Sequence, residues 1–134
     1  MIVVDTNIIS YFFINGEFTD LAEKAFKIDH HWVAPLLWRS EFRNVLALCL
    51  RKDVFSLECA IQIMTEAELL MKGNEYSTTS LSILRLVSQS DCSAYDCEFL
   101  ALAQELQISM VTIDKKILKN FPKIAIKLDK FIKK

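Results

Sequence analysis

Ile2-Val3-Val4-Asp5-Thr6-Asn7 sets three apolar β-formers against an acid, and a helical pattern runs on from Asn7 to Ile14. A short apolar strand that ends in a carboxylate and passes directly into a helix is the opening half of a β–α unit. Asn15-Gly16 then gives a stop signal. The same arrangement returns far along the chain, where Ser109 to Ile113 reads as a strand closing at Asp114, with Lys115 to Asn120 following as one or two helical turns. Between them, Thr19 to Ile28 has amphipathic spacing, with Leu21, Ala22, Ala25, Phe26 and Ile28 expected on the inner side. Trp32 to Ala34 reads as a strand ended by Pro35, Leu37 to Arg51 and Leu57 to Met71 as long helices, and Asn74 to Thr78 as a short edge strand. Helices are expected over Leu81 to Gln89 and Ala94 to Leu106. Ile124 to Leu128 alternates and closes the sheet, and Phe131-Ile132 docks the tail. Strands alternating with helices predict an α/β fold with three layers, a mostly parallel sheet of about five strands covered by helices on both faces.

A chain of 134 residues, 52% hydrophobic and 25% charged, is expected to fold as one globular domain spanning 1–134. No repeat, low-complexity segment or linker divides it. The longest apolar run, Val45 to Leu50, is too short to span a bilayer. The first residues show neither a basic region nor a small-residue cleavage site, so a cytoplasmic location is expected. The two glycines, Gly16 and Gly73, do not follow strands, which excludes a glycine-rich phosphate loop. Cys49, Cys59, Cys92 and Cys97 contain no Cys-x-x-Cys pair and are expected to be buried, reduced thiols. His30 and His31 are adjacent before a strand and read as loop residues. The net charge of −1 by itself argues against a strong nucleic-acid binder. Its distribution is uneven, however: Lys115 to Lys134 holds eight lysines and one acid, Asp129. That run reads either as a solvated tail or as a patch that contacts phosphates.

In open α/β sheets the active site lies beyond the carboxyl ends of the strands, and Asp5 and Asp114 both stand at such ends. Each also precedes a helix, where Asp is a preferred N-cap. Asp96 shares the ambiguity, because Ser93-x-x-Asp96 resembles a capping box. Glu41 has no capping role. Its spacing with Trp38, Val45 and Leu48 places it on the apolar stripe of its helix, and Asp96 aligns with Leu100, Ala103 and Leu106 in the same way. A carboxylate on a buried stripe is costly unless paired or metal-bound, and Arg39 or Arg85 would be the pairing alternative for Glu41. Two carboxylates about 5 Å apart repel by roughly 3 kcal/mol at an effective dielectric of 20. Four converging acids therefore need a proton, a cation or a basic partner. Oxygen donors without Cys or His select Mg²⁺ or Mn²⁺, and sites of that kind act on phosphate esters.

Ile2-Val3-Val4-Asp5-Thr6-Asn7, Ser40-Glu41 with Asn44-Val45-Leu46, Ser93-Ala94-Tyr95-Asp96 with Leu100-Ala101-Leu102-Ala103, and Val111-Thr112-Ile113-Asp114 stand in the order and spacing of PIN domains. The chain resembles that family along its whole length, most of all the VapC-type toxins of prokaryotic toxin–antitoxin pairs. The resemblance implies a PIN-like fold and an acidic metal site of Asp5, Glu41, Asp96 and Asp114, with Thr6, Asn7, Ser93 and Thr112 as polar support. It also implies Mg²⁺- or Mn²⁺-dependent cleavage of RNA by an endonuclease, with a second copy of the chain and a cognate antitoxin as partners. A nuclease of RNA processing and a catalytically silent PIN-like binding module are the neighbouring alternatives. Haloacid-dehalogenase-type phosphatases also begin with a strand ending in Asp, but they need a second acid two residues later. Asn7 stands there and cannot transfer a proton. The apolar content of the Leu57 helix (Leu57, Ala60, Ile61, Met64, Ala67, Leu70 and Met71) together with Phe12-Phe13 suggests contact surface for the dimer and for the antitoxin.

Overall fold

β1 (Ile2–Val4) is buried at all three positions, and this fixes its place at the centre of the sheet. The computed structural model describes residues 1–133, and five strands occur among them. β1 pairs with β2 (Trp32–Pro35) on one side and with β4 (Met110–Thr112) on the other, with Val3 opposite both Val33 and Met110. β3 (Glu75–Tyr76) lies outside β2 and β5 (Ala125–Lys127) outside β4, giving the order β3-β2-β1-β4-β5 with every pair parallel. In a parallel sheet all carboxyl ends share one edge, so Asp5 and Asp114 emerge side by side. Every position of β1, β2 and β4 is buried, so both faces of the sheet must be covered.

Eight helices do this among the described residues: α1 (Thr6–Phe13), α2 (Thr19–Ile28), α3 (Leu37–Arg51), α4 (Leu57–Met71), α5 (Ser80–Ser88), α6 (Ala94–Leu106), α7 (Lys115–Asn120) and α8 (Leu128–Ile132). α6 lies against β1, β2 and β4 and is backed by α5, while α1 packs on α2, α3 and α4. Phe131 of α8 is buried, docking the tail as expected. No helix among them is long and apolar enough to cross a membrane.

Several side chains lie elsewhere than their spacing suggests. The buried stripe of α3 is Trp38, Phe42 and Leu46, whereas Leu48 is 49% exposed. Both stripes contain Trp38, and the helix is turned so that the aromatic Phe42 enters the core. Glu41 is thereby carried to the flank of the stripe, where it is half-buried. In α2, Ala22 and Ala25 are buried but Ile28 is exposed, because the helix ends there and the chain leaves the packed surface. Phe12 and Phe13 are not free contact formers. Phe12 packs on Phe26 and Trp32 with ring centroids 4.9 and 5.2 Å apart, and Phe13 faces Phe42. All four cysteines are free thiols, but only Cys92 and Cys97 are buried. Cys59 is exposed because α4 turns Ala60, Ala67 and Met71 inward. The expected Ser109–Ile113 and Asn74–Thr78 strands shrink to β4 and the two-residue β3.

Candidate active site

The site begins where β1 ends. The Asp5 amide donates to the Val111 carbonyl at 3.1 Å, extending the ladder by one bond and fixing the direction of its side chain. Asp5 occupies the N-cap position of α1, yet its carboxylate caps nothing there. Instead, Asp5 Oδ2 accepts a 2.7 Å bond from Thr112 Oγ1, across 107 residues of sequence. Thr112 is fully buried at the end of β4, and the same hydroxyl accepts the Asp114 amide at 3.0 Å. One hydroxyl therefore joins the carboxyl ends of the two central strands. Asp114 does cap its helix, with Oδ1 accepting from the Ile117 amide at 3.0 Å.

A second threonine serves Glu41. Thr6, buried in the first turn of α1, donates from Oγ1 to Glu41 Oε1 at 2.7 Å. The arginine alternatives fail on geometry. Arg39 is held by Glu75 at 2.6 Å and by Glu68 at 2.8 Å, and Arg85 forms no ion pair among the described residues. Asp96 stands in the first turn of α6, where Ser93 Oγ caps the helix by accepting the Asp96 amide at 3.1 Å. Ser93, not Asp96, is the cap.

All four acids line one cavity of about 620 Å³, together with Thr6, Asn7, Leu37, Ser40, Asn44, Val45 and Tyr95. Ser93 and Thr112 stand behind this lining and act through Asp96 and Asp5. Sequence reasoning passed over Ser40, Asn44, Leu37, Val45 and Tyr95 as site residues. The signal was the helical spacing itself, since Leu37, Asn44 and Val45 lie three or four residues from Glu41 and share its face, and Ser40 lies three from Leu37 and four from Asn44.

The cavity concentrates uncompensated negative charge. Burial pushes the Asp5 carboxyl from 3.8 up to about 6, with the charges of Glu41 and Asp96 adding, against the opposing hydrogen bonds of Thr112 and Thr6. Glu41 is raised chiefly by burial and further by Asp96 and Glu98, while the Thr6 hydroxyl opposes. Asp96 is raised by burial and by Asp114, with Ser93 and Lys116 opposing. None of the four forms an ion pair among the described residues. Such a cluster calls for a proton or a cation, and its all-oxygen donors suit a hard divalent ion. The acids line the cavity without being drawn together: among the described residues no three of His, Cys, Asp and Glu form a ready-made ion cage.

Fold and site together define an α/β protein with an acidic cavity at the carboxyl edge of a parallel sheet, the position where open α/β sheets carry their active sites. The chain belongs to the PIN domain family, whose pattern matches residues 2–125 and so takes in all four acids. Two solved structures share the fold. PAE2754 from Pyrobaculum aerophilum superimposes with a TM-score of 0.76 at 18% identity, over 97% of this chain and 92% of its own. FitAcB from Neisseria gonorrhoeae gives a TM-score of 0.75 at 15% identity, over 96% of this chain and 98% of its own. At these identities the likeness is one of fold. No curated protein matches the chain.

Proposed function

We propose that the chain, acting as one domain over residues 1–134, is a metal-dependent endoribonuclease and the toxin of a type II toxin–antitoxin pair. The observation that carries the catalytic part is the convergence of Asp5, Glu41, Asp96 and Asp114, from four separate segments, on one cavity with no basic partner among the described residues. Membership of the PIN family supports it, as does the position of the cavity at the sheet edge. The four carboxylates would hold Mg²⁺ or Mn²⁺, which in such sites activates water and offsets charge developing at phosphorus. Thr112 and Thr6 aim Asp5 and Glu41 and favour their ionised forms against the burial that raises both, because each spends its single proton on a carboxylate. Asn7 adds a neutral polar group at the mouth. The lysines of α7 offer charge of the sign that phosphates need, and Lys116 is near enough to Asp96 to lower its pKa.

The toxin assignment extends the resemblance to VapC-type proteins. It brings a second copy of the chain, a cognate antitoxin and a cytoplasmic location. Exposed Leu57 and Ile61 on α4 support an apolar contact surface for such partners. Sedimentation of the purified chain at tens of micromolar tests the dimer, and a clean monomer would count against it.

The catalytic test is RNA cleavage by purified protein with Mg²⁺ or Mn²⁺ and with chelator. Cleavage should require the ion and fall at least 100-fold in Asp5→Asn and Glu41→Gln, on the order expected for losing a metal ligand. Full activity in both variants would overturn the reading.

A further inference from the structure

The cavity is larger than a cluster of carboxylates and a phosphate require; its volume of about 620 Å³ lies in the range of sites that enclose a whole small molecule. Its lining is mixed: beside the acids stand Leu37, Ser40, Asn44 and Val45, which flank Glu41 on α3, and Tyr95, next to Asp96 at the start of α6. Leu37 and Val45 are half-buried and packed on the core, so the apolar floor they present is fixed. Ser40 and Asn44 are exposed, and their side chains hydrogen-bond to no other group among the described residues. Tyr95 is 62% exposed and pairs with no other ring among the described residues, although it directly precedes Asp96.

The acids repel the backbone of a polyanion, so beside the charge that an ion and the α7 lysines would supply, the uncharged part of this lining needs a neutral group to hold. A planar heterocycle meets that need, with one face on the Tyr95 ring and its edge toward an amide. We infer that Tyr95 is a base-stacking, specificity-determining residue, and that Asn44 reads the edge of the nucleobase adjoining the scissile phosphate. This rests on the ribonuclease reading and adds to it a base subsite beside the acids. Stacking on an aromatic ring is tolerant of sequence, whereas the Asn44 amide distinguishes donor from acceptor edges.

The test replaces each base of a cleaved oligoribonucleotide in turn by an abasic ribose. With the unaltered protein, the abasic unit next to the cut should lower kcat/KM about tenfold, in keeping with the loss of one stacked base. Tyr95→Ala should be slowed to a similar degree on the intact RNA and lose nothing more on the abasic one, while Tyr95→Phe keeps the original pattern. Asn44→Ala should flatten the preference among the four bases at that position. Equal abasic penalties in the unaltered protein and in Tyr95→Ala would overturn the subsite. A second arm is independent of cleavage: 2-aminopurine placed at each position of the oligoribonucleotide reports stacking by its fluorescence when bound to Asp5→Asn protein. Quenching at one position that disappears with Tyr95→Ala supports the subsite even if no RNA is cut, in which case it is the nuclease reading that fails. Quenching unaffected by Tyr95→Ala overturns the subsite whatever the cleavage result.

Discussion

The Thr112 hydroxyl has one proton, and Asp5 receives it. Val has nearly the same shape as Thr, so Thr112→Val removes the hydroxyl and both of its hydrogen bonds with little change of packing. It leaves a carboxylate and the Asp114 amide without their partner. The expected loss is about 1–3 kcal/mol in denaturant unfolding near neutral pH, with the acid limb of the pH–rate profile moved to higher pH; Thr112→Ser should restore both. Asp5 has a signature of its own. Its carboxyl titrates near 6 in the fold against 3.8 unperturbed. Well below 3.8 both folded and unfolded chains hold the proton, and the fold gains nothing and loses nothing by it. As pH rises toward 6 the unfolded chain releases its proton first, and stability falls, by at most about 3 kcal/mol once both are ionised. Chelator-treated Asp5→Asn should lack this part of the decline and be the more stable protein at pH 7. Equal slopes between pH 4 and 6 would show that Asp5 carries no such strain. At this scale the sequence was legible for the acids and less so for their surroundings. Asp5 and Asp114 are visible because a strand end dictates where they point. Glu41 was found through a stripe that the structure turns aside, and Ser40, Asn44 and Tyr95 are exposed polar or aromatic residues that no burial pattern singles out.

Among the elements, α3 carries the most. Its start is anchored to β3, where Glu75 accepts from Trp38 Nε1 at 2.8 Å and from Arg39. This engagement keeps Arg39 away from Glu41. Glu75→Gln keeps an acceptor for the indole but releases the guanidinium. It should cost under about 1 kcal/mol, since Arg39 is partly solvated, and melting curves would register it. Cleavage should remain within twofold, because Arg39 is no part of the cavity. α7 poses the other question at this scale. Lys115, Lys116 and Lys119 are exposed on one short helix next to Asp114. Changing all three to Gln should weaken RNA binding and flatten log K against log salt by just under one unit per lost phosphate contact; an unchanged slope would assign them to solubility. The bounds of α3, α4 and α6 agree with the spacing of apolar residues, because long helices with one packed face write a strong period. β3 and β5 fall inside the expected Asn74–Thr78 and Ile124–Leu128 but are only two and three residues long, because a neighbour's edge sets where pairing stops.

For the molecule as a whole, the fold gathers charge at one sheet edge that the rest of the chain leaves unneutralised, and the binding of an ion should therefore read out as global stability. A ligand that binds only the folded state at 100 times its Kd contributes about 2.7 kcal/mol. For a chain of this size each kcal/mol moves the melting temperature by about 3–5 °C, so saturating Mn²⁺ should raise it by about 8–13 °C. The same addition should do much less for Asp5→Asn and Glu41→Gln. Capping does not predict this difference, because Asn caps a helix as well as Asp does and Glu41 caps nothing. Competition with protons gives a further check: burial and mutual repulsion raise Asp5, Glu41 and Asp96 together, so the Mn²⁺ shift should fade as pH drops from 7 toward 5. Ions bound at scattered surface carboxylates would give a small shift that survives in both variants. Calorimetric scans of the three proteins at pH 7 and pH 5, with and without Mn²⁺, distinguish the two cases, and an equal shift in all three proteins would remove the ion from this cavity.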